Sequence, residues 1–201
     1  MDRAVKAVDG RTARADNTRR RIVSSMIALI EEGHLRPTAA AIADRAEVSV
    51  RSVFQHFNDL GALFQAAADS TMHRVWSLVR PIPDSGTLDE RLDALLAMRW
   101  DIYDHIAAIR RAASLIEDQL PMFVEGRNQF RHMLRGVIDR IFAGELVHLD
   151  ADARRQSLDA MIVVCEFEFM EVLRRQMELP REQAMAAQRR AMTSLLKQKE
   201  C

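Results

Sequence analysis

The sequence predicts an all-α protein of about nine helices in two domains. Only 7 Gly and 5 Pro occur in 201 residues, and the helix-favouring residues Ala, Leu, Arg, Met and Glu are abundant. No run alternates β-branched and polar residues in the way that indicates a strand. A hydrophobic content of 48% with 29% charged residues is typical of a chain that buries a core. Each regular element is therefore expected to be a helix.

The first residues are more basic than the rest of the chain. The formal net charge is zero, which by itself argues against a polyanionic partner. The first 21 residues, however, hold seven basic and three acidic side chains, a net of +4. We predict a disordered basic arm over residues 1–15, which either lies along phosphates or is a solvated tail. A first helix is predicted from about residue 17 to residue 32, with Gly33 as its stop.

Residues 38–57 predict two short helices separated by a tight turn. Thr38 and Ser49 are each placed to accept a hydrogen bond from the first turn of a helix. The predicted inward side chains are Ile42, Ala43 and Ala46 in the first helix and Val53, Phe54 and Phe57 in the second.

The outward face of the second helix carries side chains that suit the major groove of DNA. Arg binds guanine, Gln binds adenine, and Ser and His bind bases or phosphates. Val50 belongs either to the core stripe or to a contact with a thymine methyl group. Two short amphipathic helices also occur in helical proteins that do not bind DNA. The predicted DNA-binding residues are Thr38, Ser49, Val50, Arg51, Ser52, Phe54, Gln55 and His56.

This segment resembles the helix-turn-helix of the TetR family of transcriptional regulators. The match is specific over residues 18–64 and only architectural beyond them. The resemblance implies a three-helix DNA-binding domain followed by a larger helical domain that binds an effector and dimerises. It also implies a repressor that binds a near-palindromic operator as a homodimer and is released by a small, mainly apolar molecule. The matching positions are Thr38, Ile42, Ala43, Ala46, Val48, Ser49, Val53, His56, Phe57 and Leu63.

Three positions depart from the family pattern. Glu47 replaces the usual turn glycine, which costs about 1 kcal/mol if the residue is left-handed. Phe54 replaces a Tyr whose hydroxyl tends to touch a phosphate in the family. Asp59 replaces a Lys at the start of the next helix, a position where the helix dipole stabilises an acidic side chain. These departures question the strength of DNA binding.

The remaining helices are predicted from stop signals and apolar periodicity. Asn58 is the expected cap of a fourth helix that ends before Pro81, and a loop over residues 81–86 is the best domain boundary. Thr87 and Glu90 have capping-box spacing at the start of the next helix. The predicted helical segments that follow are 87–106, 105–117, 121–143, 150–177 and 180–197. The predicted domains are residues 16–76 for DNA binding and residues 82–201 for effector binding and dimerisation.

Several charged residues lie in apolar parts of the second domain. Arg99 and Arg127 lie on apolar helix stripes, and Glu166 and Glu168 lie in the most apolar segment. Because burying a lone charge is costly, these groups either pair with one another or reach solvent. Alternatively, an arginine meets an acidic effector in an apolar cavity. The predicted ligand-binding residues are Met98, Arg99, Trp100, Tyr103, Met122, Phe123, Arg127, Phe130, Met133, Cys165 and Phe169.

The helix predicted over residues 150–177 is apolar almost all round at its centre. Such a helix must be covered on several sides, and in the TetR family the last two helices build the dimer. A homodimer joined through residues of about 150–197 is therefore predicted. The predicted interface residues are Ala160, Val164, Phe167, Glu171, Arg174, Ala187 and Leu195.

Other function classes find little support. The chain has no HExxH, GxSxG, P-loop, GxGxxG or CxxC motif and no His pair at i, i+4, so neither catalysis, a metal site nor a cofactor is predicted. No apolar run of 18 residues and no signal-peptide pattern occur, so a cytoplasmic location without a membrane partner is expected. The main alternative is a helical interaction protein of the same fold with weak or no DNA binding. A weaker one is an enzyme built in the second domain.

Overall fold

The computed structural model describes residues 10–116 and 121–197, with side chains for residues 12–116 and 124–197. This part of the chain contains ten α-helices and no strand, which confirms the all-α prediction, with one helix more than expected. A π-helical turn, Val172–Gln176, follows the ninth helix. The helices are α1 Gly10–Glu31, α2 Ala39–Arg45, α3 Val50–His56, α4 Leu60–Trp76, α5 Leu88–Ser114, α6 Pro121–Ile141, α7 Ala143–Leu146, α8 Ala151–Cys165, α9 Phe167–Glu171 and α10 Arg181–Leu196.

The first helix is longer than the sequence suggested. Residues 10–15 of the predicted arm are helical, since this stretch has good helix formers and no proline to stop it, and residues 1–9 lie outside the described residues. The predicted stop is confirmed. Gly33 has φ 99°, its N–H donates to the Ile30 carbonyl at 3.0 Å, and the His34 N–H donates to the Leu29 carbonyl at 2.9 Å. This pair of bonds around a left-handed residue is a Schellman motif.

The described chain divides into two compact units. Unit 1 holds the residues up to Arg74 together with Ala108–Ile116, and unit 2 holds Val75–Ala107 together with the described residues after Ile116. The assignment of DNA binding to residues 16–76 and of effector binding and dimerisation to residues 82–201 stays a prediction.

Unit 1 has a small core in which α1, α2 and α3 pack together. The large apolar side chains of α1 are buried, and Val53 of α3 and its C-cap residue Phe57 are only 1% and 4% exposed. The Arg19 guanidinium lies over the Phe57 ring at 4.4 Å and covers its outer side. The other buried core side chains of α1, of α2 and of its C-cap residue Ala46 are Ile22, Val23, Met26, Ile27, Leu29, Ile30, Ile42, Ala43 and Ala46.

Unit 2 contains α6, α8, α10 and the Leu88–Ala107 part of α5 around one hydrophobic core. Helix α5 is continuous from Leu88 to Ser114, so the prediction of two helices here is wrong; no Gly or Pro interrupts this stretch. The predicted capping box at its start is confirmed, because the Thr87 N–H donates to Glu90 at 2.8 Å and the Glu90 N–H donates to the Thr87 hydroxyl at 3.2 Å. The bond from the Thr87 backbone lowers the pKa of the Glu90 carboxyl.

The long helix predicted over residues 150–177 is in fact broken. Glu166 adopts an extended conformation with ψ 153° between α8 and α9, although no Gly or Pro lies nearby. The break frees carbonyl groups at the end of α8, and such groups need new partners when they are buried. Arg99 of α5 donates to the Cys165 carbonyl at 2.6 Å, and Gln188 of α10 donates to the Val164 carbonyl at 2.8 Å.

Candidate nucleic-acid interface

Local side-chain caps define the two short helices of unit 1. The Thr38 hydroxyl accepts from the Ala41 N–H at 3.2 Å at the start of α2. The Ser49 hydroxyl accepts from the Ser52 N–H at 3.1 Å at the start of α3. Both predicted caps are confirmed. Because helices of seven residues are too short to be stable alone, these caps and the apolar stripe beneath them are needed to hold α3 in place.

The turn between α2 and α3 is built around a left-handed glutamate. Glu47 has φ 52°, its N–H donates to the Asp44 carbonyl, and the Val48 N–H donates to the Ala43 carbonyl, both at 3.0 Å. This is the same Schellman geometry that Gly33 supplies at the end of α1. Arg21 of α1 donates to the Ala46 carbonyl at 2.5 Å and to the Glu47 carboxylate at 3.0 Å. A single arginine thus ties α1 to the turn.

The outer face of α3 is partly apolar. Phe54 is 46% exposed, so its predicted place in the inward stripe is wrong: Val53 and Phe57 are the buried pair, and Arg19 of α1 lies over Phe57. Val50 is also exposed, at 41%. The other predicted DNA-binding residues are exposed, as Thr38, Ser49, Arg51 and Gln55 are, or half-buried, as Ser52 and His56 are.

Asp59 has a structural role. Its carboxylate accepts from the Ala62 N–H at 2.7 Å, so Asp59 caps α4 and the prediction that Asn58 does so is wrong. A carboxylate at a helix N-terminus is favoured by the free N–H groups and the helix dipole. The departure from the family pattern at this position is therefore explained by local stability.

An open cleft lies beside the turn in unit 1, and the sequence analysis did not anticipate it. The lining residues on α1 recur at helical spacing, and this periodicity was the only sequence signal for the cleft. The other wall comes from α2 and the turn, which the sequence does not place next to α1. Arg45 there binds Glu32 through two bonds of 2.5 Å, and the bond from Arg45 lowers the pKa of the Glu32 carboxyl. The lining residues are Asn17, Arg20, Arg21, Ser24, Ser25, Arg45, Ala46 and Glu47.

In unit 2, Arg99 is a buried cation. It is 4% exposed, donates from Nη2 to the Cys165 carbonyl, and lies over the Phe130 ring at 4.7 Å. Its Nε has no hydrogen-bond partner among the described residues. Burial lowers the pKa of the Arg99 guanidinium, although arginine keeps its charge in proteins. The Glu166 carboxylate is bound by Arg131 at 2.6 Å rather than by Arg99 or Arg127, and Glu168 is exposed.

Two of the predicted ligand-binding aromatic residues lie in a hydrogen-bonded core. Trp100 is fully buried and donates to Gln188 at 2.7 Å, and Gln188 in turn donates to Val164. The ring of Tyr103 lies 5.2 Å from that of Trp100 and 5.3 Å from that of Phe167. Burial raises the pKa of the Cys165 thiol to about 11, so this thiol stays protonated and unreactive at neutral pH.

The other predicted ligand-binding residues are more scattered. Met98 is buried, and Met133 is 45% exposed. The side chains of Met122 and Phe123 lie outside the described residues. Arg127, Phe130 and Phe169 are half-buried.

The predicted dimer residues differ in exposure within one chain. Val164 is buried by the chain itself and Ala187 is exposed. The sequence analysis missed Val163, which is 60% exposed and lies one helical turn from Ala160 on α8. The half-buried members are Ala160, Phe167, Glu171, Arg174 and Leu195.

Comparison with known proteins reveals a shared fold. The structure is similar to the crystal structure of a transcriptional regulator from Rhodococcus sp. Rha1, with a TM-score of 0.67 over 89% of this chain and 96% of that chain. The sequences are 15% identical, a level that establishes the fold alone. No protein-family model and no curated protein matches the sequence. Within residues 10–116 and 121–197, no helix is long and apolar enough to cross a membrane.

Proposed function

We propose that the chain is a DNA-binding transcriptional regulator of the TetR type, a repressor that binds its operator as a homodimer in the cytoplasm. The observation that carries this proposal is α3, a capped helix whose inner face is anchored in unit 1. Its outer face presents Arg51 and Gln55 to solvent. That arrangement suits a recognition helix in the major groove. The fold shared with a transcriptional regulator supports it.

The proposed interface extends beyond α3. Thr38 and Ser49 lie at the N-termini of α2 and α3, where free N–H groups favour phosphates. Ser52 and His56 are candidates for contacts at the edge of the groove. The cleft that contains Arg20 adds positive charge next to the turn. These groups would position α3, and the exposed α3 side chains would supply the specificity.

The proposed effector is a small, mainly apolar molecule that carries an acidic group. A carboxylate would accept a hydrogen bond from the unpartnered Nε of Arg99, beside the Phe130 ring. To release the operator, the effector must bind the non-operator state more tightly than the DNA-bound state. Mass spectrometry of small molecules that co-purify with the protein tests this part, and an uncharged ligand would contradict it.

Binding to random-sequence duplex DNA at several salt concentrations tests the function. We expect affinity to fall steeply with salt and selection from the library to enrich one near-palindromic sequence. The competing function is a helical interaction protein without specific DNA binding. That function predicts no enriched sequence and no steep salt dependence. Asp59 was one of the observations that favoured this competing function, and its role as a helix cap explains it without a loss of DNA binding.

A further inference from the structure

The outer face of α3 carries an apolar pair between its polar side chains. Val50 and Phe54 are 41% and 46% exposed, and they are four residues apart on the same helix. Residues at this spacing are neighbours on a helix surface. Arg51 and Gln55, which follow them at the same spacing, are exposed too. The face therefore has two parallel rows, one apolar and one polar.

This combination matches one feature of the major groove. Arg and Gln find acceptors and donors on guanine and adenine, and the apolar group that the groove offers is the 5-methyl of thymine. The side chains of valine and phenylalanine cannot hydrogen-bond, so the thymine methyl is the base-edge group that suits them. We propose that Val50 and Phe54 contact thymine 5-methyl groups and make thymine a required base in each half-site. This proposal rests on the proposed DNA-binding function.

The spacing of the pair limits where those thymines lie. Four residues span about 6 Å along a helix, and bases follow one another at about 3.4 Å along a strand. The two methyl groups should therefore lie within about two base steps of each other. Arg51 and Gln55 would contact bases beside them. A half-site is then expected to combine thymines with an adjacent guanine or adenine.

The alternative occupant of this face is another protein. The polar row argues for DNA, because Arg51 and Gln55 would lose hydration against an apolar partner surface without gaining bonds. Arg20, in the open cleft next to the turn, adds charge complementarity to phosphates. A protein partner becomes an outcome of the test below.

The test compares thymine with uracil, which differ only by the 5-methyl group. A random duplex library is amplified once with dTTP and once with dUTP, and the full-length protein selects from both. The enriched duplex is then synthesised with single thymine-to-uracil replacements. We expect affinity to fall about fourfold for each contacted methyl that is removed, as for any buried methyl-sized group. Replacement at the other thymines should have no effect.

Variants assign each methyl to a side chain. In Phe54→Ala, replacing thymine by uracil should no longer lower affinity at one of the two positions, but should still lower it at the other. In Val50→Ala, the position that is insensitive should be the other one. Such a cycle measures the contact itself, since both partners are removed separately and together. Val147→Ala changes an exposed valine of unit 2, away from α3, and should bind both DNAs as the unchanged protein does. Thermal melting should be similar for all variants, because both side chains are exposed.

Three outcomes overturn the inference. Equal affinity for thymine and uracil at every position would leave the proposed DNA-binding function standing and remove the methyl contacts. Loss of self-association in Phe54→Ala, with DNA binding unchanged, would assign the pair to a protein interface. Absence of an enriched sequence and of salt-dependent duplex binding would contradict the proposed function as well.

Discussion

The α2–α3 segment of unit 1 and the α8–α10 segment of unit 2 use polar groups in opposite ways. In α2–α3 the caps are local: Thr38 and Ser49 each bond to an N–H three residues ahead, and Arg51 faces solvent. In α8–α10 the polar groups are buried and their partners are distant. Trp100 reaches Gln188 across 88 residues, and Arg99 reaches Cys165 across 66.

The exposed polar groups of α3 are available for recognition, whereas the buried polar groups of unit 2 serve stability. Polar side chains on the outside of α3 contribute little to the folded state because water satisfies them in either state. Buried polar groups in unit 2 leave unsatisfied partners when they are removed. Substitutions on α3 should therefore change DNA binding with little change in stability, and those in unit 2 should change stability first.

The largest effect is expected for Gln188→Ala. This change leaves the Trp100 N–H and the Val164 carbonyl unsatisfied in the core and opens a void. Unfolding free energy should fall by about 4 kcal/mol, from about 1–3 kcal/mol for each orphaned group plus the void. Chemical denaturation measures it. Gln183→Ala, an exposed change on the same helix, is the control. Equal stability of the two variants would mean that the buried network does not hold unit 2 together.

The next largest effect is expected for Val163→Asp at the proposed dimer interface. Val163 is exposed in the single chain, so the fold should survive. Two carboxylates facing each other across a two-fold axis should weaken the dimer by about 3 kcal/mol, on the order of 100-fold.

Light scattering across a dilution series measures the dimer. Val147→Asp, at a valine that is 74% exposed on a different helix end, is the matched control. A stable wild-type monomer at micromolar concentration, or a dimer that Val163→Asp leaves unchanged, would end the assignment.

What could be predicted from the sequence follows the same division. The helix class, the caps at Thr38 and Ser49, the stop at Gly33 and the capping box at Thr87 depend on residues within one turn, and all were predicted correctly. The carbonyls freed by the break at Glu166 are bound by Arg99 and Gln188 from distant helices. No local pattern reveals such partners, so one long helix was predicted instead.

The candidate site shows the limit within a single helix. Helical spacing alone placed Phe54 beside Val53 and Phe57 in the inward stripe. This seven-residue helix has only about two turns. Its inner side is filled by the buried side chains of Val53 and the adjoining Phe57, and Arg19 of α1 lies over the Phe57 ring. The direction of packing against α1 decides which apolar residue is left outside. That direction is a tertiary property, as is the cleft that contains Arg20.

A smaller effect on affinity, without an effect on stability, is expected for Arg51→Ala. Operator binding should weaken by about 1–3 kcal/mol, and preference should relax at one base position. Selection from a random duplex library measures both, and melting should be unchanged. Arg155→Ala, which removes an exposed arginine from unit 2, controls for the loss of one positive charge. If Arg51→Ala bound the same sequence with the same affinity, Arg51 would not contact a base.

The smallest change in stability is expected at the C-terminal ends of α1 and α2 in unit 1. Gly33 and Glu47 occupy equivalent left-handed positions in two Schellman motifs, at φ 99° and 52°. A β-carbon at Gly33 would meet nothing within 4 Å, so Gly33→Ala tests the backbone cost alone. It should lower stability by about 1 kcal/mol. Glu47→Gly should raise it by about 0.5–1 kcal/mol, because relief of the left-handed strain outweighs the loss of an exposed ion pair with Arg21. Thermal denaturation of both variants measures the pair of shifts. If Glu47→Gly is destabilising instead, the bond from Arg21 contributes more than an exposed ion pair ordinarily does, and the turn is held from α1 rather than by its own backbone.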